Sequence, residues 1–317
     1  MKKLKRSNIY FLIILLGAMF LPLPLALLYH ILGVKDSRVM LTVNHILLFL
    51  VPAAIYFLVT KSNVKETLRL NKLSLKQIGL VILTAIVTYP LMSCCAIISS
   101  LFVNNDVGEY IGSISSTPYL IMILLFGVMP AITEEVTLRG IVLSGYRGQT
   151  AFKAALFNGI LFGIFHLDFH QFLYAGVLGF VMAYVALITD SLFSSMLMHF
   201  VINSLSVTLQ KISGLKTSSV PEVSDGASNF IQVSIGTKII TIVFVLFIMF
   251  LLSKIVKAVI NALREASIKE EYCDSYYDDD EDDDEEFDGL EKDKLINGPF
   301  IAIVVVYLIY MFIIKIK

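Results

Sequence analysis

Long apolar runs alternate with short polar breaks along the chain, at about 9–32, 40–60, 77–103, 118–143, 154–170, 172–189, 191–210, 236–257 and 299–316. A helix of roughly 20 apolar residues crosses a hydrocarbon core about 30 Å thick. Backbone groups in lipid must satisfy their own hydrogen bonds, which helices do within one segment. The pattern therefore predicts an all-α, polytopic transmembrane helix bundle of about eight to nine spans. Pro22, Pro24, Pro52, Pro90 and Pro130 lie inside or near these runs, so kinks are expected there. The first run follows MKKLKR, as a signal peptide would. It is too long for such a segment and lacks a small-residue cleavage site, so it is expected to be a retained span.

Composition sharpens this picture. Of 317 residues, 57% are hydrophobic and only 16% charged, with a mean hydropathy of +0.80, which excludes an ordinary soluble globule. The net charge of −1 conceals an uneven distribution. Residues 270–293 hold 15 of the 26 acidic residues and one of the 25 basic ones, leaving 24 basic against 11 acidic elsewhere. A tract so dense in one charge cannot bury a core, and it is expected to be a disordered cytoplasmic segment. No motif or basic surface for nucleic acid is present; membrane lipid is the expected surrounding.

Lys and Arg in short loops mark the cytoplasmic side. Lys2, Lys3, Lys5 and Arg6 place the N-terminus inside, and Lys61, Lys65, Arg69, Lys72 and Lys76 do the same for the 61–76 loop. Arg147 with Lys153, and then Lys254, Lys257 and Arg264, fit that orientation. The expected organisation is N-terminal spans over 1–117, a core over 118–210, an external loop and further span over 211–260, the acidic segment over 261–298 and a last span over 299–317. A multi-pass protein of the plasma membrane with a cytoplasmic N-terminus is the expected setting. Cys94, Cys95 and Cys273 show no metal or disulfide spacing and are read as non-catalytic.

One of these runs carries charge where charge is costly. Glu134, Glu135 and Arg139 fall inside an otherwise apolar helix, and an ionised group at the bilayer centre costs about 2.5–3.5 kcal/mol on insertion scales. Helical geometry separates their roles, because residues four apart share a face and adjacent ones do not. Glu135 can pair with Arg139. Glu134 has Leu138 one turn on and stays free for chemistry. A purely structural buried ion network is the alternative for all three.

Two further polar pairs follow, Phe162 with His166 and His199 with Asn203, each at helical i,i+4 spacing. Counting about 1.5 Å per residue from the polar ends of their runs, Glu134, His166 and His199 all lie about 13–20 Å from the same side. Polar groups at one level on three spans are what a site between helices requires.

The order EExxxRG (Glu134, Glu135, Arg139, Gly140), FxxxH (Phe162, His166) and TxSLxxxxxxHxxxN (Thr189, Ser191, Leu192, His199, Asn203) resembles the CPBP family of intramembrane proteases, which includes the type II CAAX prenyl endopeptidases and the bacterial Abi proteins. The resemblance covers about 118–210. Two positions depart from it: Leu138 stands where Phe is frequent, and Asp190 stands where Gly is expected after Thr189.

This resemblance implies an intramembrane endopeptidase acting on a membrane-anchored or prenylated substrate. Glu134 and His166 would activate a water, His199 and Asn203 would stabilise the oxyanion, and Glu135, Arg139 and Phe162 would support them. Zinc held by Glu134, His166 and His199 and a metal-free glutamate mechanism are both open, with His170 as a further candidate ligand. A non-catalytic family member acting as a binding or bacteriocin-immunity factor is the alternative. A transporter with proton-relaying carboxylates would show internal repeats with broken helices in matching halves, and none is found.

Overall fold

A computed structural model describes residues 3–104, 117–217, 233–268 and 294–315. The acidic tract 270–293 and most of the 104–117 and 212–234 loops lie outside the described residues. The described chain is all-helical: α1 (Lys3–Phe20), α2 (Pro22–Ile31), α3 (Ser37–Thr60), the short α4 (Val64–Thr67), α5 (Leu75–Ser100), α6 (Tyr119–Val142), α7 (Ala151–Phe165), α8 (Phe169–Ile188), α9 (Leu192–Thr217), α10 (Ile235–Ile268) and α11 (Gly298–Tyr310).

Polar residues in the breaks set the helix starts. Asp36, Ser74, Thr150, Asp168 and Asn297 each accept a backbone N–H of the first turn that follows, and Ser74 with Gln77 completes a reciprocal capping box. Among the described residues, α3, α5, α6, α8, α9 and α10 are long and apolar enough to cross a membrane. The protein is an integral membrane protein built from these helices. The expected first span is bent instead: α1 and α2 meet at 43°, where Pro22 interrupts the helix. α7 and α11 are shorter apolar helices, so the described residues do not supply nine full-length spans.

Proline also shapes the helices it does not break. The turns before Pro52 and Pro130 widen to π-helix, over Ile46–Leu50 and Ile123–Val128. A proline has no N–H for the carbonyl four residues back, and a wider turn accommodates the loss. A third π-helical stretch, Val136–Val142, follows the two glutamates and contains Arg139. π-turns inside helices often mark functional positions.

The core is made by α7 and α8 lying side by side, with α6, α9 and α5 around them. Small residues permit the closest approach. A Cβ on Gly159 would come within 2.6 Å of the Gly176 carbonyl oxygen on α8, so α7 and α8 touch through backbone, as membrane helices do where lipid offers no hydrophobic drive. α7 has 15 residues, about 22 Å at 1.5 Å per residue. It therefore stops short of a full crossing, and the break that ends it lies inside the protein.

Candidate functional site

The site is assembled from α6, α7 and α9. Glu135 and Arg139 pair across one helical turn at 2.8 Å, both with fully buried side chains. The same oxygen, Glu135 Oε1, also takes Nδ1 of His199 at 2.8 Å from α9. One carboxylate thus holds two partners. Arg139 reaches the Gly179 carbonyl of α8 with its other terminal nitrogen, at 3.4 Å. The expected Glu135–Arg139 pair is present, and His199 is an addition to it that local spacing does not encode.

Phe162 sits at the centre of these groups. The Arg139 guanidinium lies 4.2 Å from its ring centroid, and the rings of His166 and His199 meet it edge-on at 4.7 and 6.0 Å. A cation over an aromatic face is attracted by about 0.5–2 kcal/mol, more when desolvated. Phe162 therefore orients one cation and two imidazoles at once.

Glu134 stands apart. It is half-buried, and its carboxylate makes no hydrogen bond or ion pair among the described residues, although His199, Glu135 and Arg139 surround it electrostatically. Adjacent glutamates thus have different surroundings: one is neutralised by a cation and an imidazole, the other is open.

His166 is the last residue before the chain leaves α7. Leu167 takes a positive φ of 50°, which ends the helix and leaves its last carbonyls unpaired. The His166 ring supplies a donor to one of them, with Nδ1 2.8 Å from the Phe162 oxygen. Since a carbonyl only accepts, Nδ1 carries a proton, and in the neutral ring Nε2 keeps its lone pair. The expected continuation of this helix through residue 170 is corrected by this break. His170 belongs to α8 and pairs with Ser100 of α5 at 3.0 Å, so it does not join His166.

Asn203 has a structural partner. Pro130 cannot donate to the carbonyl of Phe126, four residues back, and Asn203 Nδ2 donates to that oxygen at 2.9 Å. Next to this contact a Cβ on Gly127 would lie 2.7 Å from Ser204 Oγ. α6 and α9 are therefore close here because of a proline, a glycine and an asparagine acting together. One amide hydrogen of Asn203 is used, and one remains.

Sequence reasoning missed His45. It lies at the start of the widened turn of α3, with Nδ1 3.1 Å from Thr133 Oγ1. The Thr133 hydroxyl gives its one proton to the Met129 carbonyl at 2.9 Å, so it accepts from His45 Nδ1–H. A third imidazole is thus tethered to the residue preceding Glu134. Only a single histidine in an apolar run signals it in the sequence.

A loop closes one end of the cluster. Asp190 adopts a positive φ of 43°, the conformation glycine takes without cost and aspartate tolerates, which accounts for the glycine expected there. In return its carboxylate accepts from Asn71 at 2.7 Å and lies 3.4 Å from Arg69. Arg69 in turn approaches the Arg139 carbonyl at 3.4 Å.

Among the described residues, no three His, Cys, Asp or Glu side chains converge closely enough to hold a metal ion.

These features define an all-helical membrane protein with a buried carboxylate and imidazole cluster at the meeting of three helices. Residues 116–205 match the family model described as Rce1-like, type II CAAX prenyl endopeptidase. That stretch contains Glu134, Glu135, Arg139, Phe162, His166, His199 and Asn203, and the match bears out the family resemblance carried by the three motifs. No match was found among curated proteins or among solved structures.

Proposed function

We propose that the protein is an intramembrane endopeptidase of the CAAX-protease type, hydrolysing a peptide bond in a membrane-anchored or prenylated substrate by a metal-free route. The observation that carries this reading is the division between adjacent carboxylates. Glu135 is held by Arg139 and His199, while Glu134 has no hydrogen-bond partner among the described residues.

In this mechanism Glu134 accepts a proton from water as the water oxygen attacks the carbonyl carbon. His166 orients that water through the Nε2 lone pair that its bond to Phe162 leaves available. The oxyanion that forms takes hydrogen bonds from His199 Nε2–H and the remaining amide hydrogen of Asn203, each such donor being worth about 2.7–4 kcal/mol in comparable sites. The carbon–nitrogen bond then breaks, and Glu134 delivers its proton to the departing amine. Glu135 serves as a positioning residue: its carboxylate fixes the His199 ring, which in its cationic form donates from both nitrogens.

The test uses full-length protein in detergent with a panel of farnesylated and unmodified C-terminal peptides, followed by mass spectrometry, together with metal analysis of the purified protein. Cleavage of the prenylated peptides that survives chelator treatment is the expected result. A panel left intact by well-folded protein, or activity that needs added zinc, would reject this mechanism.

A further inference from the structure

A second polar site lies at the far end of α6 from Pro130, about ten residues and so about 15 Å along the helix axis from Glu134. It is a cavity of about 190 Å3 between the start of α1, the end of α3, α4 and the loop after α6. Lys3, Arg6 and Arg147 bring three cations to its wall, against the single carboxylate of Glu66, with Ser62 and Ser144 hydroxyls beside them. Much of this charge has an assigned place. Arg6 lies 5.5 Å from the Tyr56 ring centroid, Arg147 donates to the Glu66 carbonyl, and the Glu66 carboxylate accepts from Asn63 at 3.3 Å. One donor does not: Nε of Arg6 is shut off from solvent and has no hydrogen-bond partner among the described residues.

Three cations on the wall against one carboxylate favour an oxyanion in this cavity. The surroundings distinguish among anions. About one turn before the cavity along α3, Leu58 and Val59 are each 76% exposed, so an apolar surface lies near a basic pocket. An amphiphile with a negative head and acyl chains satisfies both halves, whereas a small soluble anion uses only the first.

We propose that this cavity binds the phosphate headgroup of an anionic phospholipid, with the acyl chains lying along the Leu58 and Val59 face. The site rests on the membrane character of the chain and not on the protease reading, since none of its residues belongs to the cluster around Glu134. Basic pockets between transmembrane helices are known to take such headgroups.

Thermal unfolding of the full-length protein in detergent tests it, with short-chain phosphatidylglycerol, short-chain phosphatidylcholine or inorganic phosphate added. Phosphatidylglycerol is expected to raise the melting temperature at concentrations where the other two do not. In Lys3→Gln and Arg147→Gln, both at exposed side chains, the concentration for half the effect should rise about fivefold for each charge removed. The double variant Lys254→Gln/Lys257→Gln removes equal charge on α10 and should respond as the native protein does. Equal stabilisation by phosphatidylcholine, or no stabilisation by any additive, would overturn the site. Equal loss in the α10 variant would show that only overall charge matters and would overturn it too. Inorganic phosphate acting as well as phosphatidylglycerol would make this a soluble-anion pocket and refute the lipid.

Discussion

His199 Nδ1 lies 2.8 Å from Oε1 of Glu135, an oxygen already held at 2.8 Å by Arg139. The contact joins residues 64 positions apart and ties α9 to α6. It also makes the two neighbouring glutamates chemically unequal, because only Glu135 is compensated. Substitutions at the two positions should therefore fail in different ways.

Glu134→Gln removes a carboxylate that makes no hydrogen bond among the described residues. Proteolysis of a prenylated peptide should be lost, while yield and melting temperature stay at native values. Turnover by the variant comparable to that of the native protein would remove Glu134 from the mechanism.

Glu135→Gln and Arg139→Met each strand a buried charge. Breaking such a pair costs about 3–5 kcal/mol, so both variants should melt well below the native protein and lose activity as a consequence. Melting temperatures equal to the native value in both would show that the pair holds nothing together.

Asn203→Leu should destabilise the protein by about 1 kcal/mol, the worth of an ordinary hydrogen bond to a partly buried acceptor. The cause is local: Pro130 has no N–H for the Phe126 carbonyl, and Asn203 supplies the donor. Pro130→Ala adds that N–H, so the loss caused by Asn203→Leu should shrink when Pro130→Ala is already present. A double-mutant cycle on detergent melting checks this. Additive losses would separate Asn203 from the proline.

What the sequence makes legible follows the reach of each interaction. Runs of about 20 apolar residues announce helices by composition, and the Glu135–Arg139 pair follows from i,i+4 spacing, so both are readable from the chain alone. The contacts of His199 with Glu135, Asn203 with Phe126 and His45 with Thr133 join positions 64, 77 and 88 residues apart. They depend on how helices pack, which local spacing does not encode. The end of α7 at His166 is hidden for another reason: the apolar run continues through Leu167, while the backbone there turns left-handed.

His45→Phe keeps an aromatic ring beside Phe49, 5.3 Å away, and removes the bond to Thr133. If that bond steadies the turn carrying Glu134, kcat should fall about fivefold, the equivalent of one ordinary hydrogen bond of about 1 kcal/mol, with little change in melting temperature. Unchanged kcat would assign His45 to packing alone.

The basic residues of the 61–76 loop and of the turn after α6 support a cytoplasmic location for that face and for the N-terminus. Asp190 belongs to the same face, because its carboxylate and carbonyl both accept from Asn71 and its side chain stays about half exposed. A thiol there can be reached by reagent, whereas Cys94 and Cys95 are buried. Asp190→Cys in a Cys273→Ser background should react with an impermeant maleimide in inside-out vesicles and not in intact cells. The left-handed backbone at this position strains any side chain other than glycine or a short polar one, so Asp190→Gly serves as the unlabelled comparison of fold and expression. A bulky label should also slow cleavage if substrate enters past this loop. Labelling from outside intact cells would reverse the topology and place the loop, the basic cavity and the substrate entrance on the external face.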